Sequence, residues 1–305
     1  YTPNPGNVVA AAGRLCYSNA DIDALRTRVS EKDQTKYLTM LRKLGHLSTF
    51  EHVSFTFGIE GVSRALLAQI TRHRIASFSV QSQRYVGQSG EDSIDYVLPP
   101  EIEKLGDEYA KRFADQMDMM DKWYREWLEL LGEGGKEDAR FVLPYCFCSN
   151  FFCSMNAREL VHVMNELTYG RGSRIPELRA LGESLFAQCE RQLPFLAVRK
   201  PEAYRQSDAF CPRQVQLLAS KAPVTVLAAP QDAEGLICGA YQLARGYVPQ
   251  PLTEPEQTSL LKSLLAQPRK RELEQASYTL QFGGLSLAAL THLTRHRMRS
   301  VCRSC

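Results

Sequence analysis

Residues 51–84, EHVSFTFGIEGVSRALLAQITRHRIASFSVQSQR, decide the fold. From residue 52 to residue 61, apolar side chains alternate with polar or small ones, which predicts a half-buried β-strand. Apolar residues then recur four apart from residue 62 to residue 70, and Ser63 stands where it can cap a helix. The stretch therefore predicts a strand, a short helix, and a loop or second strand that carries the serines.

The end of this stretch concentrates positive charge and hydroxyl groups. Arg72, His73 and Arg74 follow the predicted helix, and Ser82 and Arg84 come shortly after. Guanidinium groups bind phosphate oxygens through paired, charge-assisted hydrogen bonds, so the cluster suits more than one phosphate. In an extended segment, the spacing would put Ser82 and Arg84 on the same side. A solvated basic turn is the alternative interpretation.

A second polar cluster precedes the strand. Residues 45–52, GHLSTFEH, bring together two histidines, two hydroxyl groups and a carboxylate. We expect this cluster and the basic cluster to converge at one end of the unit.

These motifs together resemble the flavin-dependent thymidylate synthases, whose signature is RHR, seven residues, and then S-x-R. Residues 72–84 match it in full, and the other hallmarks follow in order: LCYS at 15–18, EDARFVLP at 137–144 and MNARELVH at 155–162. The resemblance extends to about residue 199. It implies an α+β fold, an antiparallel sheet with flanking helices, and synthesis of dTMP from dUMP. Methylenetetrahydrofolate would supply the methylene group, and NADPH would supply reducing equivalents through FAD.

The resemblance also implies roles for individual residues. Those implied to contact the flavin are His46, Ser48, Glu51, Arg72, His73, Arg74, Ile75, Asn156, Arg158 and His162. Those implied to hold the nucleotide are Gln69, Arg72, Ser82, Gln83, Arg84 and Arg140, of which Arg72, Ser82 and Arg84 are the catalytic candidates. No metal is implied. Family members are homotetramers with shared sites, so we expect a homo-oligomer, either a tetramer or a dimer of pseudo-dimers.

Residues 156–167 predict a helix with an apolar stripe and a polar face made by Arg158, His162 and Asn165. Beyond it the family pattern breaks. An arginine is expected about five residues after His162, but Leu167 or Thr168 stands there. Val80 is a second departure, because a polar residue is common at that position. Arg171 or Arg174 could supply the missing charge. The departures favour an alternative: an FAD- or nucleotide-binding paralogue without synthase activity, with a structural or regulatory role.

Residues 274–300 align without a gap to residues 51–77, with twelve of the twenty-seven positions identical. We interpret this as a tandem duplication, with a first module at 1–215 and a partial, degenerate second copy at 216–305. Gln275 replaces His52, Leu287 replaces Arg64, and Cys305 stands where Ser82 would align. The second copy is interpreted as mainly structural, with a working second site as the alternative. No methionine begins the sequence and its last residues cut a motif, so flanking segments are expected.

The composition favours a cytoplasmic enzyme. The net charge is +3, too small to indicate nucleic-acid binding by itself, and no run of about 18 apolar residues indicates a membrane span. The nine scattered cysteines favour reduced thiols. Cys146, Cys148 and Cys153 are interpreted as buried thiols, with a zinc site as the weaker alternative. Residues 107–131 predict a long helix whose stripe of aromatic and methionine side chains, ending at Trp127 and Leu131, lies in the core.

Overall fold

The structure is a computed structural model that describes residues 1–85, 94–132, 134–205, 223–268 and 270–294. It divides into two compact units. The first contains residues 1–211 and 291–305, and the second contains residues 212–290. The second copy of RHR at 295–297, and Cys305, lie outside the described residues.

A three-stranded antiparallel sheet forms the centre of the first unit. Its strands are β1 (Ser54–Ser63), β2 (Ala76–Val80) and β3 (Cys148–Asn156), in the order β1-β3-β2. The register pairs Ser54 with Asn156 and Ala76 with Met155 at one end of the sheet. The predicted strand and the predicted second extended segment are both confirmed. Starting β1 and β2 at the same end brings the segments before them together.

Helices surround this sheet. Within the first unit they are α1 (Pro5–Leu15), α2 (Ile22–Ser30), α3 (Thr35–Lys43), α4 (Arg64–Ile70), α5 (Pro100–Glu103), α6 (Asp107–Leu131), α7 (Lys136–Ala139), α8 (Ala157–Tyr169), α9 (Pro176–Gln192) and α10 (Pro201–Tyr204). Short 3₁₀ turns cover Leu47–His52, Arg140–Val142 and Arg171–Arg174. The family's α+β architecture is confirmed by these elements.

Helix α4 begins as the sequence predicts. Ser63 is its N-cap, and the serine Oγ accepts a hydrogen bond from the Leu66 amide at 3.0 Å. The same serine is tied to α9, because its amide donates to Glu177 Oε1 at 2.7 Å. The main core packs the buried faces of α1, α3, α4, α8 and α9 against the sheet. The end of β1 is thereby fixed against the start of α9.

Helix α6 has the predicted bounds, but its stripe is only partly buried. Met117 and Tyr124 belong to a second apolar cluster with Phe147. Trp127 is 47% exposed and Leu131 is 43% exposed, so the predicted core role is wrong for these two residues. The described residues offer their side chains no further layer to pack against.

The second unit has its own small sheet. Strand β4 (Val224–Ala228) pairs antiparallel with β5 (Thr279–Phe282), with α11 (Ala233–Ala244), α12 (Glu254–Ala266) and a 3₁₀ turn at Arg271–Gln275 between them. Helix α13 (Leu287–Thr294) follows β5 in the chain. No helix in the described ranges is long and apolar enough to cross a membrane.

Candidate active site

Two histidines and a glutamate meet where β2 and α8 begin. His73 Nδ1 lies 3.1 Å from Glu159 Oε1, and both side chains are mostly buried, at 14% and 13% exposure. The hydrogen bond with His73 lowers the pKa of Glu159 below its ordinary value of 4.5, although burial acts in the opposite direction. The ring of His162 meets His73 edge-on, with centroids 5.6 Å apart. Glu159 therefore fixes the orientation of an imidazole inside the RHR motif.

The residues around this pair come from every motif implied to contact a flavin. Arg158 Nη1 donates to Glu51 Oε1 at 2.6 Å, which joins the α8 motif to the GHLSTFEH motif. Asn156 is the N-cap of α8, with Oδ1 accepting the Glu159 amide at 2.8 Å. We call His73, Glu159, His162, Arg158 and Glu51 the histidine cluster. The predicted convergence at one end of the sheet is observed for the RHR and GHLSTFEH motifs, and it is wrong for Ser82 and Arg84, which follow the other end of β2.

The surroundings of the histidine cluster suit a phosphorylated planar ligand. Arg72 and Arg74 are exposed beside it, His46 and Ser48 are exposed in the adjoining segment, and Ile75 is 64% exposed. Guanidinium groups and imidazoles next to an accessible apolar side chain match the chemistry of a diphosphate that carries a flat ring. The donor set therefore fits a flavin dinucleotide.

The same cluster has the donor types of a metal site. One ligand atom from each of His73, Glu159 and His162 lies within 4.8 Å of the other two. Imidazole and carboxylate are ligands that Zn²⁺ accepts. The sequence predicts no metal here, and the two histidines are the ones implied to contact the flavin.

Tyr204 completes the outer side of the cluster. Its hydroxyl lies 2.9 Å from His162 Nδ1, and the rings are 5.6 Å apart. Burial raises the pKa of the Tyr204 phenol. The segment before α10 is held by Asn165, whose amide donates to Val198 O at 2.8 Å and whose oxygen accepts the Lys200 amide at 2.6 Å. Asn165 is fully buried, so its predicted place on a polar surface stripe is wrong.

A second charged cluster lies beyond the other end of β2. Arg84 Nε is 3.1 Å from Glu137 Oε2, and Arg140 Nη2 is 3.6 Å from Glu137 Oε1. Arg140 also donates from Nε to the Glu137 carbonyl at 3.0 Å. We call these three residues the arginine cluster. The two implied nucleotide-binding arginines are thus brought together around one carboxylate.

The segment leading to Arg84 differs from the expectation. Residues 83–85 form a turn, and the Arg84 amide donates to Ser82 Oγ at 3.2 Å, so the prediction that Ser82 and Arg84 project to one side of an extended strand is wrong. The local hydrogen bond and the ion pair with Glu137 favour the turn. Ser82 and Gln83 are half-buried in this turn, and Gln69 is half-buried near the end of α4.

The break in the family pattern falls in the core. Leu167 and Thr168 are both buried, at 3% exposure each, on the inner side of α8. Arg171 and Arg174 lie on the exposed 3₁₀ turn that follows the helix. A Cβ on Gly172 would come within 2.8 Å of Leu167 Cα, so the turn packs tightly on α8. The two arginines that follow this position in the chain therefore lie outside α8.

Glu159, Glu137 and Tyr204 are site residues that sequence reasoning missed. Glu159 is the third residue after the N-cap Asn156, a position where glutamate commonly serves the helix start. This position indicates a residue that stabilises the start of the helix, and it does not indicate that Glu159 pairs with a histidine. Tyr204 had no signal, because its position depends on the buried Asn165.

The three clustered cysteines are free thiols in the described chain. Burial raises the pKa of Cys153 to about 11, and burial followed by nearby carboxylates raises the pKa of Cys148 to about 11. Cys146 Sγ donates to Met117 Sδ. Cys153 is buried as predicted, whereas Cys146 and Cys148 are only half-buried, so the prediction of buried thiols is wrong for these two.

Comparison with known proteins assigns the class. Residues 1–195 match the family model described as thymidylate synthase complementing protein, and the chain belongs to this family. Three relatives that carry the name flavin-dependent thymidylate synthase show the particular similarity. The protein of Clostridium tetani is 39% identical over 210 residues, covering 64% of this chain and 82% of the relative. That of Geobacter sulfurreducens is 45% identical over 163 residues, covering 53% and 68%. That of Nitratidesulfovibrio vulgaris is 36% identical over 254 residues, covering 80% and 93%.

Proposed function

We propose that this chain is a flavin-dependent thymidylate synthase that converts dUMP to dTMP. Methylenetetrahydrofolate gives the methylene group, NADPH gives the reducing equivalents through FAD, and tetrahydrofolate and NADP⁺ leave. The observation that supports this best is the assembly of both signature motifs around one strand, in a chain similar to enzymes of that name. Bound FAD would supply the redox chemistry.

The histidine cluster is proposed to hold the flavin. Glu159 keeps His73 in one orientation, and Glu51 does the same for Arg158. Fixed donors lose less conformational freedom on binding than mobile ones, so the cluster is partly organised before the ligand arrives. Arg72 and Arg74 add charge for the diphosphate. His46, Ser48, Ile75, Asn156 and His162 complete the proposed contact set.

The arginine cluster is proposed to bind the dUMP phosphate. Arg84 and Arg140 already face a single anion, the carboxylate of Glu137. A phosphate carries more charge and more acceptor oxygens than a carboxylate, so it can replace Glu137 as the partner of both arginines. Ser82, Gln83 and Gln69 are the proposed neutral donors.

The base-orienting charge is proposed to come from the turn at Arg171–Arg174. Helix α9 follows this turn, and its Glu177 is bound to Ser63 at the end of β1. Arg64 Nη2 reaches Gln81 O at 3.4 Å, which places the end of β1 beside the start of the S-x-R segment. The turn therefore belongs to the end of the sheet that carries Ser82.

The site is proposed to be shared between copies in a homo-oligomer. The histidine cluster precedes β2 and the arginine cluster follows it, and the four steps of this strand alone span roughly 13 Å. Reacting atoms must approach to within about 3.5 Å. A second copy running in the opposite direction would put its arginine cluster beside the first copy's histidine cluster.

The tandem duplication also remains a proposal, and local geometry supports it. Gly61 and Gly284, which align, have φ values of +65° and +63°. The aligned Ser63 and Ser286 both accept a hydrogen bond from the amide three residues on, at Leu66 and Ala289. A degenerate second copy would act as a structural partner.

The alternative function, a nucleotide-binding paralogue without synthase activity, is favoured by one observation. The family's arginine position is occupied by the buried Leu167 or Thr168. Both functions predict flavin binding, and only the first predicts product.

The test is dTMP formation by the purified protein with dUMP, methylenetetrahydrofolate and NADPH, read by mass spectrometry with and without FAD. Product that requires FAD supports the synthase; bound flavin without product supports the paralogue. Arg84→Ala should abolish dUMP binding and leave FAD bound. Arg112→Ala, which removes an exposed cation from α6, is the matched control. Unchanged dUMP affinity in Arg84→Ala would overturn the phosphate assignment.

A further inference from the structure

A cavity of about 440 Å³ lies among α1, α2 and α3, on the N-terminal side of the GHLSTFEH segment. Its lining includes Arg14, Arg28 and Lys32, together with Tyr17, Tyr37 and His46. Among the residues that the structure describes, no aspartate or glutamate lines it. We call it the cationic pocket. A cavity with three cations and no carboxylate carries a positive potential that selects anions.

Contacts with Tyr37 and Gln34 fix the position of the Arg14 side chain in this pocket. Its guanidinium carbon lies 4.3 Å from the centre of the Tyr37 ring, and Nη2 donates to Gln34 Oε1 at 3.2 Å. Its Nε is buried and has no hydrogen-bond partner within the described chain. A buried donor without a partner is costly, so a ligand acceptor nearby would be favourable.

Arg28 and Lys32 supply two of the pocket's positive charges. Arg28 lies in the last turn of α2, and Lys32 follows just beyond the end of the helix. Neither has an ion-pair partner in the described ranges. Arg26, on the same helix, does have one, because it lies 3.7 Å from Asp23. An anion in the pocket would be attracted by both cations without displacing a carboxylate from either.

The pocket is connected to the active site through His46. This residue lines the pocket and also belongs to the segment proposed to contact the flavin. Tyr17, which is 79% exposed, and Ser18 come from the LCYS motif, for which the proposed mechanism has no use. The exposed aromatic side chain of Tyr17 can pack against a ring of a ligand whose charged groups lie deeper in the pocket.

We propose that the cationic pocket binds the anionic tail of a co-substrate whose reactive ring lies at the flavin. The proposal rests on the proposed function. Two co-substrates have this chemistry. Methylenetetrahydrofolate carries its pterin at one end and glutamate carboxylates at the other, and NADPH carries its nicotinamide at one end and an adenosine 2′-phosphate at the other. Either tail would pass His46 on its way to Arg14, Arg28 and Lys32.

The test compares two double charge reversals in the flavin-loaded protein. Arg28→Glu with Lys32→Glu changes the pocket. Arg26→Glu with Lys36→Glu makes the same change in net charge on α2 and α3, at exposed residues that do not line it. The pocket variant should raise KM for one co-substrate about tenfold, from the loss of two charge contacts. Its KM for dUMP, its FAD content and its melting temperature should match the control.

Two arms identify the source of the tail. A folate tail predicts that a triglutamate form of methylenetetrahydrofolate has a lower KM than the monoglutamate, and that the pocket variant loses this advantage. An NADPH tail predicts that the variant loses the preference for NADPH over NADH. If both KM values stay unchanged, or if FAD affinity falls instead, the proposal is overturned.

Direct binding separates this proposal from the synthase assignment. Calorimetry with p-aminobenzoyl-triglutamate, and separately with adenosine 2′,5′-bisphosphate, needs no turnover. Binding of one probe that the pocket variant loses supports the pocket, even if the protein forms no dTMP. If dTMP forms but neither probe binds, the pocket assignment fails and the synthase assignment stands.

Discussion

Glu159→Gln tests whether the histidine cluster is held by charge. The native carboxylate makes a 3.1 Å hydrogen bond with His73 in a site where both side chains are mostly buried. A hydrogen bond to a charged group contributes about 1.5–3 kcal/mol and a neutral one about 1 kcal/mol, so the substitution should lower the free energy of unfolding by about 1 kcal/mol at pH 7. FAD affinity should fall several-fold, because His73 loses its fixed orientation.

The effect of Glu159→Gln should depend on pH in one direction. The pKa of Glu159 is lowered in the folded protein, chiefly by the hydrogen bond with His73, so its carboxylate stabilises the fold above the ordinary value of 4.5. That stability is lost as the pH falls through the lowered pKa. The difference between native protein and variant should therefore be present at pH 7 and shrink as the pH falls below 4.5.

Urea unfolding at several pH values measures this difference, and flavin fluorescence measures FAD affinity. Glu126→Gln is the control, because Glu126 is exposed on α6 and its contact with Lys122 is long, at 3.9 Å between Oε1 and Nζ. It should change stability by less than about 0.5 kcal/mol. If Glu159→Gln is as stable as the native protein at pH 7, or if its deficit does not change with pH, Glu159 does not hold His73 by charge.

Two further substitutions test the arginine cluster and the support of Tyr204. Glu137→Gln removes the carboxylate that dUMP must displace from Arg84 and Arg140; KM for dUMP should fall about threefold in initial-rate assays, and a rise would show that Glu137 instead holds the arginines in place. Asn165→Ala should cost about 2–4 kcal/mol in chemical unfolding, because it leaves the Val198 carbonyl and the Lys200 amide without their buried partner. A loss below about 0.5 kcal/mol would mean that water replaces Asn165.

The sequence predicted the elements whose causes are local. Ser63 caps α4 because its hydroxyl acts on the next turn, and the bounds of α6 follow from the glycines at both ends, Gly106 and Gly132, whose φ values are +106° and +66°. The same periodicity placed Trp127 in the core, where the structure leaves it exposed. Periodicity indicates which residues lie on the same face of a helix. Whether that face is buried depends on how far the neighbouring elements extend along it.

The sequence missed the contacts that join distant segments. His73 and Glu159 are 86 positions apart, and Arg84 and Glu137 belong to different motifs. Family resemblance grouped the motifs by ligand and gave no information on which carboxylate each cation meets. Asn165 was assigned to a polar face of the helix because its spacing matched Arg158 and His162, yet two of its partners are backbone groups after α9 that no periodicity reveals.

The proposed sites differ in whether their cations already have a carboxylate partner. Arg158 is paired with Glu51, and Arg84 with Glu137, so a phosphate at either cluster exchanges one anionic partner for another. Such exchange reduces the net gain in affinity by the lost carboxylate contact and favours groups that outcompete a carboxylate. Arg28 and Lys32 have no carboxylate to displace in the described chain, so an anion there gains the full attraction. Rising salt should therefore weaken co-substrate binding at the cationic pocket more steeply than dUMP binding at the arginine cluster.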